Sequence, residues 1–204
     1  ESLNAPAYKI ASFEAVDLPL IKYVAQTGKP MIISTGMANS IEIQEAIDAA
    51  KEGGCKELSI LHCVSGYPAP ASDYNLKTLT DMQKKFKLVT GLSDHTIDNT
   101  TAIASVALGA LIIEKHVTLD RNAGGPDDSF SLEEKELKEL CFGVDTAWKS
   151  LGKVHYGKKS SEQENVKFRR SLYFTKDIDS GSIITSEDIR SIRPGYGLHP
   201  KYFD

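Results

Sequence analysis

The chain has 204 residues, 41% hydrophobic and 25% charged, the composition of an ordinary globular protein of one domain or slightly more. A formal net charge of −4 gives no electrostatic reason to expect nucleic acid or an acidic membrane surface as a partner. No apolar run approaches the roughly 20 residues that span a bilayer, and three cysteines without metal-type spacing read as reduced thiols of a cytoplasmic protein.

In chain order, short apolar runs at Tyr8–Ala11 and Met31–Ser34 predict two strands. Ile41, Ala46, Ile47 and Ala50 then form one stripe of helical period, stopped by Gly53-Gly54. A third strand is predicted at Leu58–Cys63, followed by a helical stripe of Leu76, Leu79, Met82 and Phe86. Leu88–Leu92 is the fourth strand, Ala102–Leu108 a helix ending at Gly109, and Leu111–Glu114 the fifth strand. Gly124-Gly125-Pro126-Asp127-Asp128 reads as a turn, and Ser131-Leu132-Glu133-Glu134 has the form of a capping box opening another helix. A strand-to-strand step of roughly 25–30 residues fits consecutive βαβ units. Five strands fall short of the eight in a closed barrel, so an open sheet and a part of a barrel both fit.

Composition changes after Leu151. Residues 153–166 are polar, charged and without period, which predicts a linker. Residues 167–204 hold a strand candidate at Arg169–Phe174, a turn at Asp179-Ser180-Gly181 and a helix start at Thr185–Asp188 with Ser186 as its cap. So few apolar positions make a poor independent core.

Two of the strand segments, Leu88–His95 and Ala110–His116, run from apolar residues to a histidine. In a parallel α/β arrangement the strand C-termini share one face, and chemistry collects there. Two imidazoles on that face can hold one divalent metal with positions left open for a substrate oxygen, which the metal would polarise. Without cysteine ligands such a site suits Mn²⁺, Mg²⁺ or Zn²⁺; the alternative is a pair of hydrogen-bonded structural histidines. Lys9, Ser12, Ser34 and Ser93 stand at strand ends on the same rim and together read as an anion site, the alternative being that the serines are helix N-caps.

The motifs YKIASFE, MIISTGM, LHCVSGYPAP, GLSDHT, IIEKHVTLD, GGPDDSFSL, FRRSL and RPGYGLHP, in this order along essentially the whole chain, resemble the sialic acid synthase family. The resemblance implies condensation of phosphoenolpyruvate with an acetamido hexose, giving a nine-carbon 2-keto sugar acid and phosphate. YKIASFE, GGPD with SFSL, and RPGYGLHP look most like the pseudaminic acid synthase branch, whose sugar is a 2,4-diacetamido-2,4,6-trideoxy hexose. N-acetylneuraminate and legionaminate synthases are the alternative within the family. A metal-dependent aldolase and a non-catalytic sugar-binding module are the alternatives outside it.

The implied fold is α/β: a partial (β/α)8 TIM barrel holding strands four to eight over residues 1–152, then part of an antifreeze-like (SAF) domain. A catalytic glutamate is expected upstream, so this stretch alone is expected to be inactive. The resemblance also implies a domain-swapped homodimer and a divalent metal, Mn²⁺ above Mg²⁺. Carried over motif by motif, His95 and His116 match metal-binding histidines. Lys9, Ser12, Ser34 and Ser93 match positions holding phosphoenolpyruvate, and Tyr67 a tyrosine near the substrates. Ser65 stands near phosphoenolpyruvate where the family often has asparagine. Asp127, Phe168 and Arg193 match residues of the sugar site, the last two delivered to the partner subunit.

Overall fold

In a computed structural model, which describes residues 4–203, the chain divides into two units, 1–152 and 153–204. The first holds five strands: β1 (Tyr8–Ile10), β2 (Met31–Ser34), β3 (Leu58–Cys63), β4 (Val89–Asp94) and β5 (Ile113–Lys115). They pair in parallel in the order β1-β2-β3-β4-β5, so each strand's neighbour in the sheet is its neighbour in sequence. That order lacks the reversal of a doubly wound sheet and matches a barrel wall. The crossovers hold α1 (Leu18–Ala25), α2 (Ser40–Glu52), α3 (Lys77–Phe86) and α4 (Thr100–Ala107), and α5 (Glu134–Leu151) follows β5.

One side-chain distance decides between an open sheet and a curled one. Lys9 Nζ in β1 lies 3.4 Å from Glu114 Oε1 in β5. In a flat sheet with strands about 4.8 Å apart, β1 and β5 would be separated by about 19 Å, too far for these two side chains to meet. The sheet is therefore bent into a half-barrel, with Lys9 and Glu114 on its concave side.

The convex side carries the apolar core. Met31, Ile33 and Ile60 from the sheet pack with Ile21, Ile47 and Met82 from the helices, each nearly inaccessible to water. Burying a side chain of this size contributes about 1.5–3 kcal/mol. Close approach between β4 and the segment entering β5 depends on Gly91, where a Cβ would sit 2.4 Å from the Ile112 carbonyl oxygen. The helix starts are specified locally. Asn39 accepts from the Ile41 and Glu42 amides while Glu42 accepts from the Asn39 amide at 2.7 Å, a reciprocal cap on α2. Asp17 accepts from the Leu20 amide at the start of α1, and Pro19 occupies its first turn.

The capping box expected at Ser131–Glu134 lies two residues further on. Glu133 is the N-cap and closes the box with Glu136, whereas the Ser131 hydroxyl donates to the Asp127 carbonyl. The reason is that Leu132 is extended: its amide donates to the His116 carbonyl, and its own carbonyl accepts from the Thr118 amide. A helix cannot begin until that bridge ends.

In the second unit β6 (Ser171–Phe174) pairs antiparallel with β7 (Ile189–Ile192). A 3-10 helix, Ser160–Phe168, begins inside the segment expected as a linker. Thr185–Asp188 does not open a helix; Ser186–Asp188 is a turn leading directly into β7. Asp188 reaches back to accept from both the amide and the hydroxyl of Thr185 at 2.8 Å, and its other oxygen pairs with Lys176 at 2.7 Å. Those bonds hold its carboxyl well below the usual range, at about 2, with Lys176 the largest influence. No helix among the described residues is long and apolar enough to cross a membrane.

Candidate active site at the strand C-terminal rim

His95 directly follows β4 and is buried. Its Nδ1 lies 2.7 Å from the Val64 carbonyl. A carbonyl can only accept, so Nδ1 carries the proton and Nε2 keeps its lone pair. The His95 amide donates to the Tyr74 hydroxyl at 2.6 Å, and its carbonyl accepts from the Ala69 amide at 3.0 Å. Burial lowers the imidazole's pKa, against the pull of the Val64 carbonyl, and His116 nearby lowers it further. The neutral form favoured this way is the form that ligates.

His116 directly follows β5, its ring centroid 5.2 Å from that of His95. Its Nδ1 is 3.4 Å from Asp127 Oδ2. Tyr67 packs 4.3 Å from the His95 ring and 5.8 Å from the His116 ring, and Phe130 lies 5.2 Å from His116. The two imidazoles thus share a small aromatic enclosure, with Asp127 at one side. Burial pushes the Tyr67 phenol up, Cys63 beside it adds to this, and a bond to Ser12 opposes it.

Beneath the histidines lies a buried ion pair. Asp94 and Lys115 are matched in register across β4 and β5, and Lys115 Nζ is 2.8 Å from Asp94 Oδ2. The same ammonium donates to the carbonyls of Thr96 at 2.6 Å and Asp98 at 2.7 Å. Each member of the pair immediately precedes one of the histidines, so the pair ties together the two strand ends that carry them.

A second cluster continues along the rim. Ser93 donates to Glu114 Oε1 at 2.7 Å, the same oxygen that Lys9 approaches. The Ser12 and Ser65 hydroxyls are 2.7 Å apart. Gly36 packs against both, and a Cβ there would lie 2.3 Å from Ser12 Cβ and 2.8 Å from Ser65 Oγ. Ser34 Oγ is buried with no hydrogen-bond partner. The serines are not N-caps: Ser34 and Ser93 lie within strands, and Asp17 and Asn39 cap α1 and α2.

The first unit therefore gathers Lys9 with Ser93, Ser12 with Ser65 and Tyr67, and His95 with His116, Tyr67 and Asp127. Phe168 and Arg193 belong to the second unit, where they lie on adjacent segments. The Gly195 amide donates to the Lys167 carbonyl at 2.9 Å, and the Lys167 ammonium stands 5.3 Å over the half-exposed Phe168 ring. Glu114, Tyr74 and the Asp94–Lys115 pair are site residues that motif reading passes over. Strand register alone would have paired Asp94 with Lys115.

Among the described residues, no group of three or more His, Cys, Asp or Glu side chains is arranged to hold a metal ion. The two imidazoles would nevertheless suit one divalent ion, because His95 is held with Nε2 unprotonated.

Comparison with known proteins matches the chain in two parts. The NeuB family profile matches residues 1–156, and the SAF domain profile matches residues 169–204. The pseudaminic acid synthase of Helicobacter pylori is 40% identical over 205 residues, covering 100% of this chain and 60% of the relative. The N,N'-diacetyllegionaminic acid synthase of Campylobacter jejuni is 42% identical over 199 residues, covering 96% and 60%. Among solved structures, the N-acetylneuraminic acid synthetase of Leptospira borgpetersenii serovar Hardjo-bovis superposes with a TM-score of 0.74 at 34% identity, over 82% of this chain and 59% of that one. A truncated 3-deoxy-D-arabino-heptulosonate 7-phosphate synthase of Thermotoga maritima, 18% identical with a TM-score of 0.64, shares the fold. The chain spans about three-fifths of the length of the curated relatives it matches.

Proposed function

The chain belongs to the NeuB family, and from that premise we propose that it forms part of a nonulosonic acid synthase. The reaction condenses phosphoenolpyruvate with an acetamido hexose aldehyde, with the pseudaminate precursor 2,4-diacetamido-2,4,6-trideoxy-altropyranose as the preferred sugar. C3 of phosphoenolpyruvate bonds to the aldehyde carbon, water adds at C2, and phosphate leaves by C–O cleavage. The observation that carries this reading is the meeting of Lys9 and Ser93 on Glu114, on the same rim as the paired imidazoles.

Lys9 and the hydroxyls of Ser12, Ser65 and Ser93 hold the phosphate, with Ser34, whose buried oxygen lacks a partner, beside them. Holding that group in line is a positioning role. His95 and His116 hold a divalent metal, Mn²⁺ by preference, which supplies Lewis acidity for a carbonyl oxygen. Tyr67, packed beside both imidazoles, lies near the substrates, and Asp127, beside His116, contacts the sugar. Phe168 and Arg193 complete the sugar site of a partner subunit in a homodimer. A guanidinium donates several hydrogen bonds to hydroxyls or acetamido carbonyls, so Arg193→Ala raises the sugar KM roughly ten- to a hundredfold while sparing phosphoenolpyruvate. Mixing that variant with His116→Ala under subunit exchange restores activity if the site is shared; verified exchange without recovery removes the swapped arrangement.

The deciding assay is phosphate release by the full-length protein with phosphoenolpyruvate and Mn²⁺. It is run against the pseudaminate-series sugar, the legionaminate-series sugar and N-acetylmannosamine. Release that depends on the first establishes the reading, and preference for another reassigns the branch. Release without any sugar, or none with all three, refutes the synthase.

A further inference from the structure

The segment between β3 and α3 holds His95 at four points. The Val64 carbonyl takes its Nδ1 proton, the Ala69 amide donates to its carbonyl, the Tyr67 ring packs on its imidazole, and the Tyr74 hydroxyl accepts its amide proton. Of these, only Tyr74 uses a side-chain polar atom, and Tyr74 is 0% exposed. Its own carbonyl lies 2.5 Å from His62 Nε2 in β3, so the residue is held at both ends. Packing alone would be served as well by phenylalanine, because a buried hydroxyl is tolerated only where it finds a partner. The partner found here is the backbone of a site histidine.

We infer that Tyr74 is a positioning residue for His95: its hydroxyl fixes the backbone at the end of β4, so that Nδ1 stays on the Val64 carbonyl and Nε2 is kept for a ligand. The inference rests on the reading of His95 as a ligand-bearing residue of the synthase. Without the hydroxyl, the buried His95 amide has no acceptor, and the strand end shifts to find one. The imidazole, anchored to β3's loop but carried by β4, then loses the alignment of its bond to Val64. Losing a group that orients a metal ligand typically costs 10- to 100-fold in metal affinity.

The test uses the full-length protein with 15N-labelled histidine, free of metal and substrate. In the wild type, nitrogen shifts should show His95 as a single Nδ1–H tautomer. Tyr74→Phe should give a mixture of tautomers and bind Mn²⁺ about 10- to 100-fold more weakly. Leu79→Ala, an equally buried truncation in α3, should lower stability yet leave both readouts unchanged. A single Nδ1–H tautomer with unchanged Mn²⁺ affinity in Tyr74→Phe overturns the inference, as does an equal effect from Leu79→Ala. Should Tyr74→Phe not fold, 3-fluorotyrosine placed at position 74 keeps the shape but alters the hydroxyl's bonding. The His95 amide resonance must then move, and a resonance that stays put overturns the inference as well. The tautomer is read without metal or substrate, so failure of the synthase assay and failure of the positioning role are separate results.

Discussion

Lys115→Met removes one half of a buried ion pair, and its cost follows from what is left behind. The Lys115 and Asp94 side chains are 3% and 0% exposed. After the change, the Asp94 carboxylate keeps the Thr96 amide at 2.9 Å and the Thr96 hydroxyl at 3.1 Å, but loses its counter-charge. The Thr96 carbonyl loses its donor at the same time, whereas the Asp98 carbonyl keeps the Thr96 hydroxyl within reach at 3.0 Å. Breaking a buried pair from one side costs about 3–5 kcal/mol. The surviving Thr96 bonds pull the value down and the orphaned Thr96 carbonyl pushes it back, so about 4 kcal/mol is expected. That is a large share of a typical stability of about 5–15 kcal/mol. Lys22→Met is the control: its partner Glu52 is 3.1 Å away but the pair is exposed, and its loss should cost no more than about 1 kcal/mol. Urea denaturation at neutral pH measures both. Adding Asp94→Asn to Lys115→Met should recover part of the loss, because the unpaired charge goes with it. If Lys115→Met costs no more than Lys22→Met, the pair is not the anchor of the two strand ends described above.

Three further outcomes are expected. Gly36→Ala forces a Cβ onto Ser12 and Ser65 at a positive φ of 47°, and should cost about 1–3 kcal/mol and raise the phosphoenolpyruvate KM at least severalfold, read by denaturation and steady-state kinetics. His95→Ala and His116→Ala should each abolish Mn²⁺ binding in calorimetry while leaving the circular dichroism spectrum intact, since both lie beyond the strand ends and outside the convex core. Asp188, with its carboxyl depressed to about 2, contributes stability that is fully present above the usual carboxylate pKa of about 4 and is lost as pH falls through about 2. Amide exchange at Thr185 should accelerate across that window, and Asp188→Asn should show the fast exchange already at neutral pH.

Strand positions were legible because alternating and continuous apolar runs report directly on burial in a sheet. α2 and α3 were legible because Ala46, Ile47 and Ala50, and Leu79, Met82 and Phe86, are the residues that meet the core. Periodicity passed over α1, although Asp17 followed by Pro19 is a readable start. The start of α5 was misplaced because nothing local in Ser131-Leu132-Glu133-Glu134 reveals that Leu132 is bridged to His116. Thr185–Asp188 failed likewise: Asp188 supplies from behind the oxygen that Ser186 was expected to supply from in front. At the site, the histidines and hydroxyls stood out by residue type and place. Glu114 did not, because its partner Lys9 lies 105 positions away in sequence, in a strand it does not adjoin. Tyr74 did not either, because it stands outside every stripe and motif and is wholly buried.

The contact between Lys9 and Glu114 has a mechanical meaning as well as a chemical one. Among the described residues, the sheet joins the two through four successive strand pairings, and any small change of tilt at one pairing adds to the next. The side chains cross the same span directly, as a chord closes a bow. Small errors that accumulate around the arc therefore converge on one short, charged distance. A substitution in the packing of any intermediate strand should register there before it registers at the strand that carries it. The rim is a gauge of its own curvature.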